Sequence, residues 1–486
     1  MIPGRGQSRQ WFAAALILPG GFFLLACAGG GTAVAGSAAA EQQRPAQETP
    51  DFPTATPDNA GTPDAPSTIT PTATATIPAS ASPTRPAPGR RIYFPYSHQG
   101  HPDALIARVA ARTMRMSKLA GGPDGASIDQ WDWEGGIAMA GLMHAYEATG
   151  DEDILDFVAR WADTRLKEGS LGTDPSRAPP NCGARDWPNG KVGHPNHTTP
   201  AWAVLMLDRY RPKPEYKDAV ARAVAFLQYD ACRVDGALAH LPGQLWDDTL
   251  IVVTPLLARY GALGGCGSCL DDAVDEYLAH ATRLQDAKTG LWYHAWDSTN
   301  RDQPNFVGAF WARGNGWTAL SATEILNWLN YDLKNNTIPG VGNALAQKRQ
   351  AQVKAILSAM NRQLAGLAGV QDPTGLWHTV VTRTDFYLET SGSAGIGAAM
   401  QRASGLDWYR ATSPAAPTVA GLAAQAVRAR AAVIGQIAPD GTVLNVSAGT
   451  GGNVDDINVY NGINHADIQP HGQGLALLLL SSGVKR

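Results

Sequence analysis

Helical periodicity recurs through most of this chain, and the candidate helices differ in character by parity. Twelve segments carry an apolar period of about 3.6 residues: 103–118, 131–148, 151–168, 197–211, 215–230, 246–261, 268–284, 311–331, 344–365, 389–404, 416–434 and 471–482. The odd-numbered ones, such as DEDILDFVARWADTRLK and KPEYKDAVARAVAFLQYD, are apolar on one side and charged on the other. The even-numbered ones, WDDTLIVVTPLLARYGAL and WARGNGWTALSATEILNWL among them, are apolar nearly all round. A one-sided helix lies against a core, whereas a helix apolar on every side is enclosed. Alternation of the two kinds through six hairpins predicts an all-α fold, a closed (α/α)6 barrel with six helices inside and six outside. An open helical solenoid is the competing arrangement, but it would carry a clear repeat at a fixed period, and none is evident. Two-residue alternation, the mark of strands, is scarce.

The polar and aromatic motifs fall in one place on this scheme. WDWEGG opens the second helix, HPNHTTP leads into the fourth, and QLWDDTL opens the sixth. FWARGNGW opens the eighth, YLETSGS the tenth and PHGQG the twelfth. Six parallel inner helices bring all six motifs to one mouth of the barrel. Side chains needed only for packing would be spread along the helices, so the clustering predicts a ligand pocket there. Gly314 and Gly316 keep bulk away from that mouth, and helix N-termini present free N–H donors to an anion.

The amino-terminal region belongs to no such pattern. Residues 1–27 read as a lipoprotein signal peptide: Arg5 and Arg9 are basic, and WFAAALILPGGFFLLA is too short and too broken by Gly and Pro for a comfortable membrane span. The stretch ends in LLAC, which resembles a bacterial lipobox and implies cleavage before Cys27, lipidation of its thiol, and export to an anchored position on the cell surface. A plain secretory signal with an incidental cysteine is the alternative. Residues 28–90 are dominated by Ala, Thr, Pro, Ser and Gly, with Phe52 the one aromatic. They cannot bury enough apolar surface to fold, so they are expected to form a disordered tether. A flexible coil of ~60 residues spans about 40–48 Å end to end. Residues 91–486 remain for the barrel.

A net charge of −4 argues against a nucleic-acid partner, which would face a basic surface. It leaves room for a small anionic ligand held by one local arginine. Four cysteines follow the lipobox, Cys182, Cys232, Cys266 and Cys269, and allow three disulfide pairings in an exported protein. No βαβ pattern surrounds CGSC, so it reads as structural rather than redox-active. The sequence carries no signal of oligomeric state.

Five motifs taken in order, WDDTL, LWYHAWD, FWARGNGW, YLETSGSA and PHGQG, resemble the unsaturated glycuronyl hydrolases of glycoside hydrolase families 88 and 105. The likeness is closest to the unsaturated rhamnogalacturonyl hydrolases of the second, and covers about residues 132–480. It implies the same (α/α)6 barrel, no metal or organic cofactor, and an oligosaccharide substrate made by a polysaccharide lyase, with a C4=C5 double bond in its terminal uronate. Ordinary glycosidases need two carboxylates about 5–5.5 Å or 6.5–9.5 Å apart. The unsaturated-uronyl enzymes instead hydrate a vinyl ether. An acid protonates C4, water adds at C5, and the hemiketal opens and expels the neighbouring sugar.

The resemblance carries the acid/base onto Asp248 of WDDTL. Helix position favours its ionised form, while burial near Trp246, Leu250 and Asp247 favours the neutral one; Asp247 itself is expected to be a solvated or capping neighbour. The family's second aspartate, before its fourth helix, is matched best by Asn196. An amide hydrogen-bonds a hydroxyl or water but cannot take a proton, so a mechanism with one acid is expected. Arg313 is the expected partner of the uronate carboxylate through its guanidinium fork. Trp133, Trp246, Trp311 and Trp317 would frame the sugar, Asn315 would bond a hydroxyl, and His294 would stand beside the uronate. His240, counted among the substrate-binding residues, is a weaker candidate, as are His378 and His471, and Glu389 reads as a buried structural acid. Other readings stay open: a conventional inverting glycosidase pairing Asp248 with Glu134 or Asp297, an epimerase or lyase on the same fold, or a surface sugar-binding lipoprotein without catalysis. The aglycone is set by loops, among them GTDPSRAPPNCGARDWPNGK before the fourth helix, whose length suits a pocket rim.

Overall fold

The computed structural model describes residues 103–122, 127–169, 185–187, 190–300, 302–335, 344–405 and 418–483. The signal peptide, Cys27, the tether, Cys182 and most of the loop before the fourth helix lie outside them. Among the described residues are twelve α-helices. The inner six are α2 (Trp133–Thr149), α4 (Thr199–Asp208), α6 (Asp248–Ala262), α8 (Ala312–Asn335), α10 (Thr390–Ser404) and α12 (Pro470–Ser481). The outer six are α1 (Asp103–Met114), α3 (Glu152–Lys167), α5 (Pro214–Ala225), α7 (Cys269–Leu284), α9 (Ala344–Gly369) and α11 (Val419–Gly435). Each inner helix packs on the next, and α12 closes on α2, so the ring is complete. The barrel, not the open solenoid, is the fold.

The differences from the periodic pattern have local causes. The sixth helix begins at Asp248, not at residue 246, because Gln244–Trp246 pairs antiparallel with Ala295–Asp297, Trp246 opposite Ala295. The fourth begins at Thr199, after a 3₁₀ turn Pro195–Thr198. Short hairpins of two or three residues per strand recur before inner helices; they are too short to show alternation. Cys266 and Cys269 are joined across the first turn of α7. No described helix is long and apolar enough to cross a membrane.

Close approach of the inner helices requires glycine at particular crossings. A methyl on Gly141 of α2 would strike the backbone of Gly474 in α12. Gly316 of α8 faces Gly392 and Gly395 of α10, so it serves the ring wall, where the sequence suggested that it cleared the mouth. At the end away from the motifs, the inner helices are tied by buried polar groups. Arg402 of α10 donates to Glu324 of α8 at 2.7 Å, both about 1 % exposed, with His144 of α2 beside them at 4.0 Å from the carboxylate. Arg259 of α6 lies 3.5 Å from Glu147 of α2.

Candidate active site

Four of the six motifs line one cavity of about 140 Å³, and the other two stand behind it, with Glu389 and His471 both bonded to Ser447. Ligand sites for drug-sized molecules run to about 300–1,000 Å³, so this one suits a single sugar ring. Trp133, Asn196, His240, Trp246, Asp248, Trp311, Arg313 and Trp317 all line it. Eight residues drawn from four inner helices and their lead-in segments thus converge as the sequence suggested.

Asp248 is the first residue of α6, and its Oδ2 lies 3.0 Å from Nε2 of His294. Nδ1 of that imidazole lies 2.7 Å from the Tyr460 hydroxyl. The His294 ring stacks on Trp311 at 4.1 Å between centroids and meets Trp246 edge-on at 5.4 Å. It is therefore fixed from every side, which makes it an orienting group behind Asp248. It stands one layer behind the residues that line the cavity. Burial alone would push the Asp248 carboxyl up. The hydrogen bond and charge of His294, with His240 and Arg313 adding to them, outweigh that and hold it below its ordinary value. His240 stacks on Trp246 at 4.7 Å, and its Nδ1 lies 3.2 Å from the Thr249 hydroxyl. Burial, opposed by the nearby Asp248, brings it down to about 4, so it faces the cavity uncharged at neutral pH.

Arg313 is held at the cavity by the protein's own groups. It borders the cavity and lies over Trp311 at 4.4 Å, but its fork is engaged with the protein itself. Nη1 donates to the Ser447 carbonyl at 2.8 Å and its hydroxyl at 2.6 Å, and Nη2 donates to the Ala448 carbonyl at 2.9 Å. Glu389, fully buried, caps α10 through Ser391 and Gly392 N–H and also accepts from Ser447 N–H at 3.0 Å. His471 closes the clamp with Nε2 3.0 Å from the Ser447 carbonyl. Glu389 is the structural acid expected. Arg313 anchors the loop that supplies Gly449 and Thr450 to the cavity. Arg313→Lys, with one point charge in place of a fork, should lower kcat/KM by about 10- to 100-fold, the effect of losing one charged hydrogen bond. Steady-state kinetics with thermal unfolding as control would check it; unchanged kinetics would sink the anchoring role.

Helix geometry sorts the rest of FWARGNGW. Arg313 and Trp317 are four residues apart and share the cavity face. Asn315 sits about 200° round from Arg313 and points away. Its amide bonds Trp292 N–H and the Trp292 and Trp311 carbonyls, each at 2.9 Å. It is thus a structural residue and not the hydroxyl ligand expected. Asp247, expected to be a solvated or capping neighbour, stands at the N-cap of α6 without a side-chain capping bond and is completely buried, and Gly314 leaves the space its carboxyl fills. His378 is bound to the Phe386 carbonyl and Asp372. Glu134 and Asp297 do not line the cavity, and Asp297 is engaged with Gln244 and Thr299. Tyr460, Gly449 and Thr450 were missed in the sequence. The only signal was the length of the connection after α11, which has no helical period.

Residues 105–486 match the family model described as Glycosyl Hydrolase Family 88. The chain is 29% identical over 392 residues to the unsaturated rhamnogalacturonyl hydrolase YesR of Bacillus subtilis (strain 168), covering 79% of this chain and 94% of that one. A possible member of the GH105 family from Salmonella enterica subsp. enterica serovar Paratyphi A str. ATCC 9150 superposes with a TM-score of 0.61 at 26% identity, over 84% of this chain and 98% of that one. The unsaturated glucuronyl hydrolase of Bacillus sp. GL1 shares the fold at a TM-score of 0.54 and 17% identity, over 78% and 96% of the two chains.

Proposed function

This chain is a glycoside hydrolase of family 88, and we propose that it removes a 4,5-unsaturated uronic acid from the non-reducing end of polysaccharide-lyase products, with Asp248 as acid and base. The observation that carries this reading is a cavity for one sugar ring that holds Asp248 on its wall and, among the described residues lining it, no second carboxylate. Two-carboxylate hydrolysis would need a second carboxylate on the cavity wall, and the described lining supplies none, whereas vinyl-ether hydration needs one group that gives a proton and then takes one. Asp248 gives its proton to C4 as the double bond's electrons form the new C–H bond. Water adds to C5 and returns a proton to the Asp248 carboxylate. The hemiketal opens and releases the neighbouring sugar. His294 holds the carboxylate in place, and the Trp walls exclude bulk water. The side-chain amide of Asn196 lines the cavity and suits a water or hydroxyl, but it takes no part in proton transfer.

The test is direct. Unsaturated disaccharides from pectin, ulvan or glycosaminoglycan lyases are offered in turn, and loss of the double bond's ultraviolet absorbance is followed. Turnover of saturated glycosides alone would overturn the reading. The neighbouring sugar, whether rhamnose, glucosamine or xylose, is read out by which disaccharide turns over fastest.

The same reading extends to location. The basic start, the apolar stretch and LLAC ending at Cys27 support export and attachment through a lipid on Cys27. Attached by that lipid and a long tether, the domain would meet oligosaccharides outside the cell. Cys27→Ser should move the protein from the membrane to the soluble fraction; an unchanged distribution would count against the anchor.

A further inference from the structure

Asp247 is a buried acid that the mechanism above does not use. It directly precedes α6, and its N–H donates to the His294 carbonyl at 2.9 Å. Its side chain is completely inaccessible to water, seated against the first turn of α8 in a notch that exists because residue 314 is glycine. Among the described residues neither of its carboxyl oxygens makes a hydrogen bond of normal geometry. One carboxyl oxygen of Asp247, one of Asp248 and a ring nitrogen of His294 lie within 4.8 Å of one another. The Asp248 carboxyl is thus close enough to act on that of Asp247, and two carboxyls come together in a hydrogen bond only when one of them keeps a proton. The other charged or titratable groups acting on this pair are Arg313 from α8, His294 and His240 from the lead-in segments, and Tyr460 from the last loop.

We propose that Asp247 is a positioning acid for Asp248: the two carboxyls hold one proton between them, at rest on Asp247, and that proton fixes the Asp248 side chain and reaches C4 through it. The proposal rests on the reading of Asp248 as the acid. The proton moves from the Asp247 oxygen to the Asp248 oxygen, and Asp248 passes it to C4. Water attacks C5 and gives its proton to Asp248, from which Asp247 is reprotonated. One H and one OH are added to the substrate, and both carboxyls return to their starting state. The arrangement answers a difficulty that Asp248 alone presents. His294 keeps Asp248 ionised, whereas burial first and the adjacent charge second push Asp247 up, so the dyad retains a proton at pH values where Asp248 by itself would have none.

Asp247→Asn keeps the shape and a donor toward Asp248 but has no proton to transfer. The expected result is a folded enzyme whose alkaline limb in kcat/KM against pH moves down by about one pH unit or more. Asp247→Ala, which also loses the donor, should lose about a further ten-fold in kcat. A readout independent of activity is stability against pH. A carboxyl pushed up in the folded state makes the wild type lose stability as pH rises past the ordinary aspartate value, a loss absent from Asp247→Asn. A folded Asp247→Asn with the wild-type pH profile and the wild-type stability slope would overturn the inference while leaving Asp248 as the acid. Full activity in Asp248→Asn would overturn the underlying reading itself.

Discussion

Asp248→Asn lowers kcat on an unsaturated disaccharide by about 10³- to 10⁴-fold, the upper part of the range for general acid–base catalysis, with the fold intact. The amide preserves the side chain's shape in the cavity wall but can neither protonate C4 nor accept a proton from water. Loss of absorbance under saturating substrate measures it, and a variant within ten-fold of wild type would end the case for Asp248. The pH dependence carries its own sign. The proton-donating form must be present, so the rate has its maximum on the acidic side of neutral and falls as pH rises. His294 holds Asp248 in the ionised form, so His294→Gln should move the alkaline limb upward in pH, although at a lower kcat because the carboxyl loses its orienting partner. A limb that stays fixed would mean that His294 does not control the acid.

At the other end of the barrel, Arg402→Met should destabilise the fold by about 3–5 kcal/mol, the usual consequence of removing one partner of a buried ion pair. Glu324, about 1 % exposed, would then lose the guanidinium that donates to it at 2.7 Å. Its neighbour His144 cannot replace the charge, because burial, with Arg402 and Arg259 nearby, drives that imidazole far down and keeps it neutral. The double variant Arg402→Met with Glu324→Gln should recover part of the loss, since the buried carboxylate is neutralised together with its guanidinium. Denaturant unfolding of the wild type, the single variant and the double variant completes the measurement. Equal stability of the single variant and the wild type would show that the pair does not hold α8 to α10.

The fold was legible because enclosure leaves a mark on composition. A helix surrounded by others, such as α6 or α12, cannot carry a charged face, whereas α3 and α7 must, and parity of that property along the chain is the barrel. The gathering of motifs at inner-helix starts was legible for the same reason, and it brought Trp133, Asn196, Trp246, Asp248, Trp311 and Trp317 to one cavity. Side-chain direction was less so. Asn315 and Arg313 are two residues apart in one motif, yet the turn of the helix sends the first toward the outer layer. The guanidinium of Arg313 reaches the mouth but is claimed by Ser447 and Ala448, residues more than a hundred positions away that carry no motif.

By itself, then, the sequence determined the ring of twelve helices and the position of the mouth, because periodicity and burial are local properties repeated along a chain. Only the tertiary structure decided which neighbours each mouth residue meets: His294 behind Asp248, Tyr460 behind His294, and Asp247 shut in beside them against Gly314. Hydrogen bonding and proton affinity depend on distances of a few ångströms between segments far apart in the chain, and no pattern within one segment encodes those distances.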